Sequence, residues 1–287
     1  MTSATYVALL LAVIGIWFGR RVWITALSAA IVLGYVAHVL NGPAVVWIAA
    51  FTGVCVAYER AKARESHRLR GVLMALAAIG IVVLAVPLGM HALPGFHNYL
   101  ALDNVVLSNG AEPYTLYLNF DKTLVGVCIL GICHPTLRAR AADWSRAFRR
   151  AVPTATLAVV VVAFGAMALG YLTWQPKWTS LFWIWAPVNL FFTCLSEEAL
   201  FRGFIQRELA SVLHGTRYGE WVAIAVSAVL FGLAHFAGGP SYIVLAAAAG
   251  LGYALVYQRT QSIEMSILAH FALNATHFLL FTYPRAL

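Results

Sequence analysis

Charge is what this chain has least of. Asp, Glu, Lys and Arg make up only 10% of its 287 residues, against about 25% in an ordinary soluble domain. Hydrophobic residues reach 62% and the mean hydropathy is +0.81, so the chain does not read as a water-soluble domain. The ten-residue alternation of a membrane barrel is missing too, and open sheet edges do not survive in lipid. The expected fold is therefore all-α, a polytopic transmembrane helical bundle of about eight to ten membrane segments. Cys55, Cys128, Cys133 and Cys194 lie in apolar runs without metal-site spacing, which predicts buried free thiols and no disulfide framework. The opening residues, MTSATYVALLLAVIGIWFGRR, lack a basic region before the apolar run, which predicts a retained anchor and not a cleaved signal peptide. There is no internal repeat, low-complexity tract or soluble domain.

Charge-free runs such as Ala151–Pro176 and Trp221–Gln258 can each hold a spanning helix of about 20 residues. Ten apolar segments are read: 4–18, 22–40, 44–58, 71–90, 114–134, 151–173, 181–213, 219–237, 241–258 and 262–283. The fifth carries Asp121 and Lys122 in YLNFDKTLVG, so it either begins near Thr123 and is short or holds an ion pair near the interface. Residues 91–113 are too polar to span and are read as an outer loop or interfacial helix broken by Pro and Gly. Arg20 and Arg21, the basic runs 59–70 and 138–150, Arg207, Arg217 and Arg259 fall on alternate connections. With Arg202 set aside, fifteen cations lie on one side and three, Lys122, Lys177 and Arg285, on the other. The positive-inside rule then places both termini outside the cytoplasm. The net charge of +8 reads as a topology signal, with basic flanks touching anionic lipid and no nucleic-acid partner.

Of the eleven acids, Glu197 and Glu198 alone fall well inside an apolar segment. A carboxylate at mid-bilayer costs about 2.5–3.5 kcal/mol on insertion scales, so an intramembrane acid is a functional candidate by default. On an α-helix Glu198 shares a face with Arg202, four residues on, in the favourable order of acid before base. Glu197 lies about 100° round the helix, with Thr193 and Phe201 as its i±4 neighbours and no local cation. Glu198 thus reads as the structural partner of Arg202, and Glu197 as a carboxylate without a counter-charge. Such a group has a raised proton affinity and suits a general base.

Two more polar constellations follow. Phe231 and His235, in LFGLAHFAGG, are one helical turn apart, so the ring can pack on the imidazole. His270, Asn274 and His277, in LAHFALNATHF, align along one stripe at spacings of four and three. A membrane histidine ordinarily makes a helix–helix hydrogen bond or sits at the interface, and His38, His91, His97, His134 and His214 fit that reading. Three consecutive segments that each bring ionisable or amide groups inward fit it less well. Glu197 can take a proton from water that His235 positions, while His270 and Asn274 donate hydrogen bonds to an oxyanion. H-E-x-x-H, G-x-S-G, G-x-G-D, G-x-G-x-x-G and Walker patterns are all absent.

E-E-x-x-x-R (Glu197, Glu198, Arg202), F-x-x-x-H (Phe231, His235) and H-x-x-x-N (His270, Asn274) follow one another on successive segments. In that order they resemble the CPBP (Abi) intramembrane proteases, which include the CAAX prenyl protease 2 (Rce1-like) and lysostaphin-resistance-protein-A-like types. The resemblance spans roughly residues 180–283. It implies that Glu197 and His235 activate water, that His270 and Asn274 form the oxyanion site, and that Glu198 and Arg202 support the helix. Phe231 and His277 are supporting candidates. Residues 178–287 are then the catalytic core and residues 1–177 a set of N-terminal helices suited to substrate recognition. The implied protein is a glutamate-type intramembrane endopeptidase of a multi-pass cell membrane, bacterial inner membrane in type, without a metal or cofactor. Its substrate would be a membrane-anchored protein or peptide, as in CAAX processing or the processing of C-terminal sorting signals. Two other readings stay open: a zinc enzyme liganded by Glu197, His235 and His270, and a non-enzymatic role in bacteriocin immunity, scaffolding or transport.

Charge bias makes residues 174–180 and 238–240 external, with His235 just before the helix-ending Gly238–Gly239–Pro240. From Tyr283 as the outer end of the last segment, Asn274 is about 13 Å deep and His270 about 20 Å. Glu197 matches these depths, at about 15 Å, if its helix restarts after Pro187; a straight helix from Leu181 puts it at about 24 Å. With native cysteines replaced, an impermeant thiol reagent on intact cells should label cysteines placed at Gly239 and Gln175 and spare one at Arg146. Labelling at Arg146 alone would invert the topology.

Overall fold

Long apolar stretches close their own backbone hydrogen bonds as helices, and small residues decide how near two helices come. The computed structural model describes residues 1–134 and 141–287, so Arg138 to Arg140 of the basic run 138–150 lie outside the described residues. The helices are α1 (Thr2–Gly15), α2 (Arg20–Val36), α3 (Gly42–Lys62), α4 (His67–Gly89), α5 (Phe120–Cys128) and α6 (Ala141–Ala168). They continue with α7 (Phe182–Val188), α8 (Leu195–Glu198), α9 (Arg207–Val212), α10 (Gly219–Leu233), α11 (Pro240–Thr260) and α12 (Ile263–Leu280). Among the described residues, five helices are long and apolar enough to cross a membrane: Gly42–Lys62, Arg68–Gly89, Trp144–Ala168, Pro240–Thr260 and Ile263–Leu280. Thr2–Gly15 and Gly219–Leu233 are shorter apolar helices.

The fold is mostly helical, but not all-α. β1 (Tyr99–Val105) and β2 (Tyr114–Leu118) pair in a two-stranded sheet where a loop or interfacial helix was expected. Tyr and Thr in β2, and Tyr and Val in β1, favour extended backbone, while His91, at φ +58°, turns the chain away two residues after the end of α4. The sheet also takes the first residues of the expected segment 114–134, so α5 begins only at Phe120 and passes into a π-helical turn at Ile129–Cys133.

The described residues divide into two compact units. The first holds 1–99, 117–134 and 191–200; the second holds 100–116, 141–190 and 201–287. In the first, α5 is packed by α1, α3, α4 and α8, and all its residues but Lys122 are buried. Gly126 sets its distance from α8: a Cβ there would lie 2.8 Å from Leu195 Cδ2 and 2.9 Å from Ser196 Cα.

In the second unit α11 packs against α6, α10 and α12. Gly232 of α10 brings the chain so near α11 that a Cβ would stand 2.7 Å from the Ile243 carbonyl oxygen. Gly252 does the same towards α6, 2.4 Å from Ala158 Cβ. The connection before α7 lies along the end of α12. Gln175 N donates to Leu280 O at 2.9 Å, Lys177 N to Leu279 O at 2.7 Å, and Thr282 N to Thr173 O at 3.0 Å. The Lys177 ammonium also donates to Phe281 O. Burial there pushes the Lys177 amine down to about 8.

Gly252→Leu should therefore part α11 from α6 and destabilise the purified protein by about 1–3 kcal/mol, read from thermal unfolding in detergent. Gly53→Ala is the control. Beyond its chain neighbours and the backbone of its own helix no atom lies within 4 Å of the added Cβ, and loss of a mid-helix glycine should leave stability equal or raised by up to about 1 kcal/mol.

Candidate active site

The two glutamates sit on an irregular helical run. α7 gives way to a π-helical turn at Asn189–Cys194, α8 carries Glu197 and Glu198, and a second π-helical stretch covers Ala199–Gln206. Pro187 lies inside α7, so the helix does not restart after it; the π turn that follows accommodates the break instead. Over Ala199–Gln206 hydrogen bonds spaced by five residues replace the regular α-helical repeat, while Glu197 and Glu198 themselves lie on the α-helical α8. The run passes from the first unit to the second between Leu200 and Phe201.

In the first unit Glu198 is fully buried and Glu197 nearly so. Glu197 is not without a counter-charge. Lys122 Nζ stands 2.5 Å from Glu197 Oε1, and only 19% of the lysine side chain and 12% of the glutamate side chain are exposed. The ground for reading Glu197 as an uncompensated carboxylate is thereby removed, because the cation arrives from α5, 75 residues earlier, and not from its own helix. Asp121, beside Lys122, is 1% exposed and otherwise engaged. It meets His91 Nδ1 at 2.9 Å, Asn98 Nδ2 at 3.0 Å and the Lys122 backbone N–H at 2.9 Å. Asn98 Oδ1 also accepts from Phe120 N at 2.8 Å, closing the start of α5 onto the preceding loop.

In the second unit the rings and the arginine come together. Arg202 is fully buried; its guanidinium lies 4.5 Å from the Phe231 ring centroid and 5.3 Å from that of Tyr253. Arg202 Nη2 donates to Gly250 O at 2.7 Å, and Gln206 Nε2 donates to Ala254 O at 3.1 Å. Two donors four residues apart thus meet two α11 carbonyls four apart. The packing at Gly250 is tight, since an added Cβ would lie 3.1 Å from both Arg202 Nη2 and Phe231 Cδ1.

Phe231 also packs on both imidazoles, with centroids 4.7 Å from His235 and 5.6 Å from His270. His235 lies just beyond the end of α10, before the φ +84° turn at Gly239 that admits Pro240 as the first residue of α11. Its Nδ1 is 2.7 Å from Phe231 O. A carbonyl only accepts, so Nδ1 carries a proton and Nε2 is the basic nitrogen of the neutral ring. His270 is stacked on Tyr253 at 4.5 Å and 17°. Asn274 Nδ2 donates to Asn189 Oδ1 at 3.2 Å. His277, on the same stripe, serves a different end: its Nε2 donates to Thr282 O at 3.1 Å and its ring packs on Tyr283.

Lys122, Tyr253, Gly250 and Asn189 are the residues that motif reading missed. Lys122 alone carried a signal, as a cation inside an apolar segment.

In comparison with known proteins, the family model described as "Rce1-like: Type II CAAX prenyl endopeptidase Rce1-like" matches residues 177–276, which include Glu197, Glu198, Arg202, Phe231, His235, His270 and Asn274. No curated protein and no solved structure matches the chain.

Arg202→Lys keeps the charge but loses the planar group that lies over Phe231 and Tyr253. The variant should unfold at lower temperature, with a loss of about 1–2 kcal/mol. An unchanged unfolding temperature would mean that the stack contributes nothing.

Proposed function

From the premise that residues 177–276 are a domain of the Rce1-like type II CAAX prenyl endopeptidase family, we propose that the chain is an intramembrane endopeptidase using glutamate- and histidine-activated water. The family consists of glutamate proteases, so its substrates are proteins. The observation that carries the reading is the cluster of Phe231, His235 and His270 within the matched residues, in which Phe231 touches both imidazoles.

In this reading Glu197 takes a proton from water while the water oxygen adds to the scissile carbonyl carbon and the C=O pair moves onto oxygen. The reading gives His235 the companion role in water activation; its Nδ1–H is fastened to the Phe231 carbonyl, which leaves Nε2 as its acceptor nitrogen. His270 and Asn274 donate to the oxyanion, their orientations supported by Tyr253 and Asn189. The proton then passes to the departing amine as the C–N bond breaks. Residues 1–177 supply the helices that select the substrate, a membrane-anchored protein or peptide cut near its extracytoplasmic boundary. The setting is a multi-pass cell membrane, bacterial inner membrane in type.

Comparative peptidomics of membrane-protein C-termini provides the test. Cells carrying Glu197→Gln should lose the shortened termini seen with the wild-type protein, with cleavage lowered about 10²–10⁴-fold at unchanged protein level. Cleavage near the wild-type rate would remove Glu197 from the role of base, and identical termini with and without the protein would favour the non-enzymatic reading.

A further inference from the structure

We propose that Lys122 is the positioning residue and counter-ion of Glu197, a partner to the catalytic core supplied from outside the matched residues 177–276. The inference rests on the reading of Glu197 as the base. Lys122 Nζ reaches Glu197 Oε1 at 2.5 Å, and both side chains are largely sheltered from solvent. In such surroundings a lone charge is strongly disfavoured, while a paired and hydrogen-bonded one is tolerated.

Three features make the contact a built one. Lys122 and Gly126 are four apart on α5 and share a face, and Gly126 is the position that lets α5 close on Leu195 and Ser196. The N-terminal turn of α5 is fastened by Asn98 Oδ1 on Phe120 N and by His91 and Asn98 on Asp121. The acid adjacent to Lys122 is therefore already engaged by other donors, and the ammonium goes to Glu197. A base must be held within a fraction of an ångström of the water it activates. An ammonium held on Oε1 restricts the rotation of the carboxylate, which is what a positioning residue has to do for a base.

The test uses purified full-length protein in detergent and a synthetic peptide spanning a boundary that disappears in Glu197→Gln cells. Lys122→Met should lower kcat about 10- to 100-fold while KM changes less than about threefold, since the lysine acts on the base and not on substrate binding. Lys122→Arg, which restores the positive charge, should recover most of that kcat, and Lys122→Gln, which restores only a donor, should not. Thermal unfolding of Lys122→Met, Glu197→Gln and the double variant should be non-additive, with the double variant losing less than the sum of the two single losses. If Lys122→Met does not fold, the Arg and Gln variants carry the comparison. Wild-type kcat in Lys122→Met or Lys122→Gln, or an arginine variant as slow as Lys122→Gln, would overturn the inference while leaving Glu197 as the base. A Glu197→Gln enzyme that cleaves the peptide at the wild-type rate would overturn the base assignment itself, and the role of Lys122 with it.

Discussion

A charge in an apolar interior has to be met by another group of the same protein, because no water is there to solvate it. That constraint accounts for most of the local detail in this chain. Glu197 is met by Lys122, Asp121 by His91, Asn98 and a backbone N–H, and Arg202 by the Gly250 carbonyl and two aromatic faces. Apart from the Lys122 N–H, each partner arrives from another part of the chain, so satisfying the charges helps to fix how those parts pack. Helix packing and site geometry are in this sense one problem.

Small residues solve the steric half of it. Apolar side chains give helices in lipid no reason to prefer each other over lipid tails, so close backbone approach and buried polar contacts hold them together. Gly126 places α5 against α8, where Lys122 reaches Glu197. Gly250 leaves room for Arg202 and Phe231, while Gly232 and Gly252 seat α11 against α10 and α6. α11 carries no motif residue, yet its Gly250 carbonyl and its Tyr253 ring support Arg202 and His270. The π-helical turns on either side of Glu197 and Glu198 let one helical run leave the regular repeat at the segment that bears them.

In the proposed reading these supports have distinct tasks. Phe231 lies against both His235 and His270, the two imidazoles to which that reading gives separate roles. Asn189, at the start of the first π turn, accepts from the amide of Asn274 and so holds the orientation of that side chain.

The amino-acid sequence by itself determined the mostly helical class, the identity of the motif residues and, of the ten apolar segments read from it, the five that form helices long enough to cross a membrane among the described residues. These follow from composition and from short-range spacing, which a linear pattern records directly. It also marked Lys122 as an oddity without saying what it met. Tertiary structure decided the rest. The strands at Tyr99–Val105 and Tyr114–Leu118 depend on each other for their hydrogen bonds, so neither is legible alone. The counter-ion of Glu197 stands 75 residues away in the chain, beyond the reach of any i±4 argument. Pro187 stays inside its helix because a π turn beyond it takes up the distortion. Tyr253 and Gly250 look like ordinary residues of an apolar helix, and only packing across helices gives them a polar group to hold, since a charge buried without water takes its partner from whatever the fold brings near.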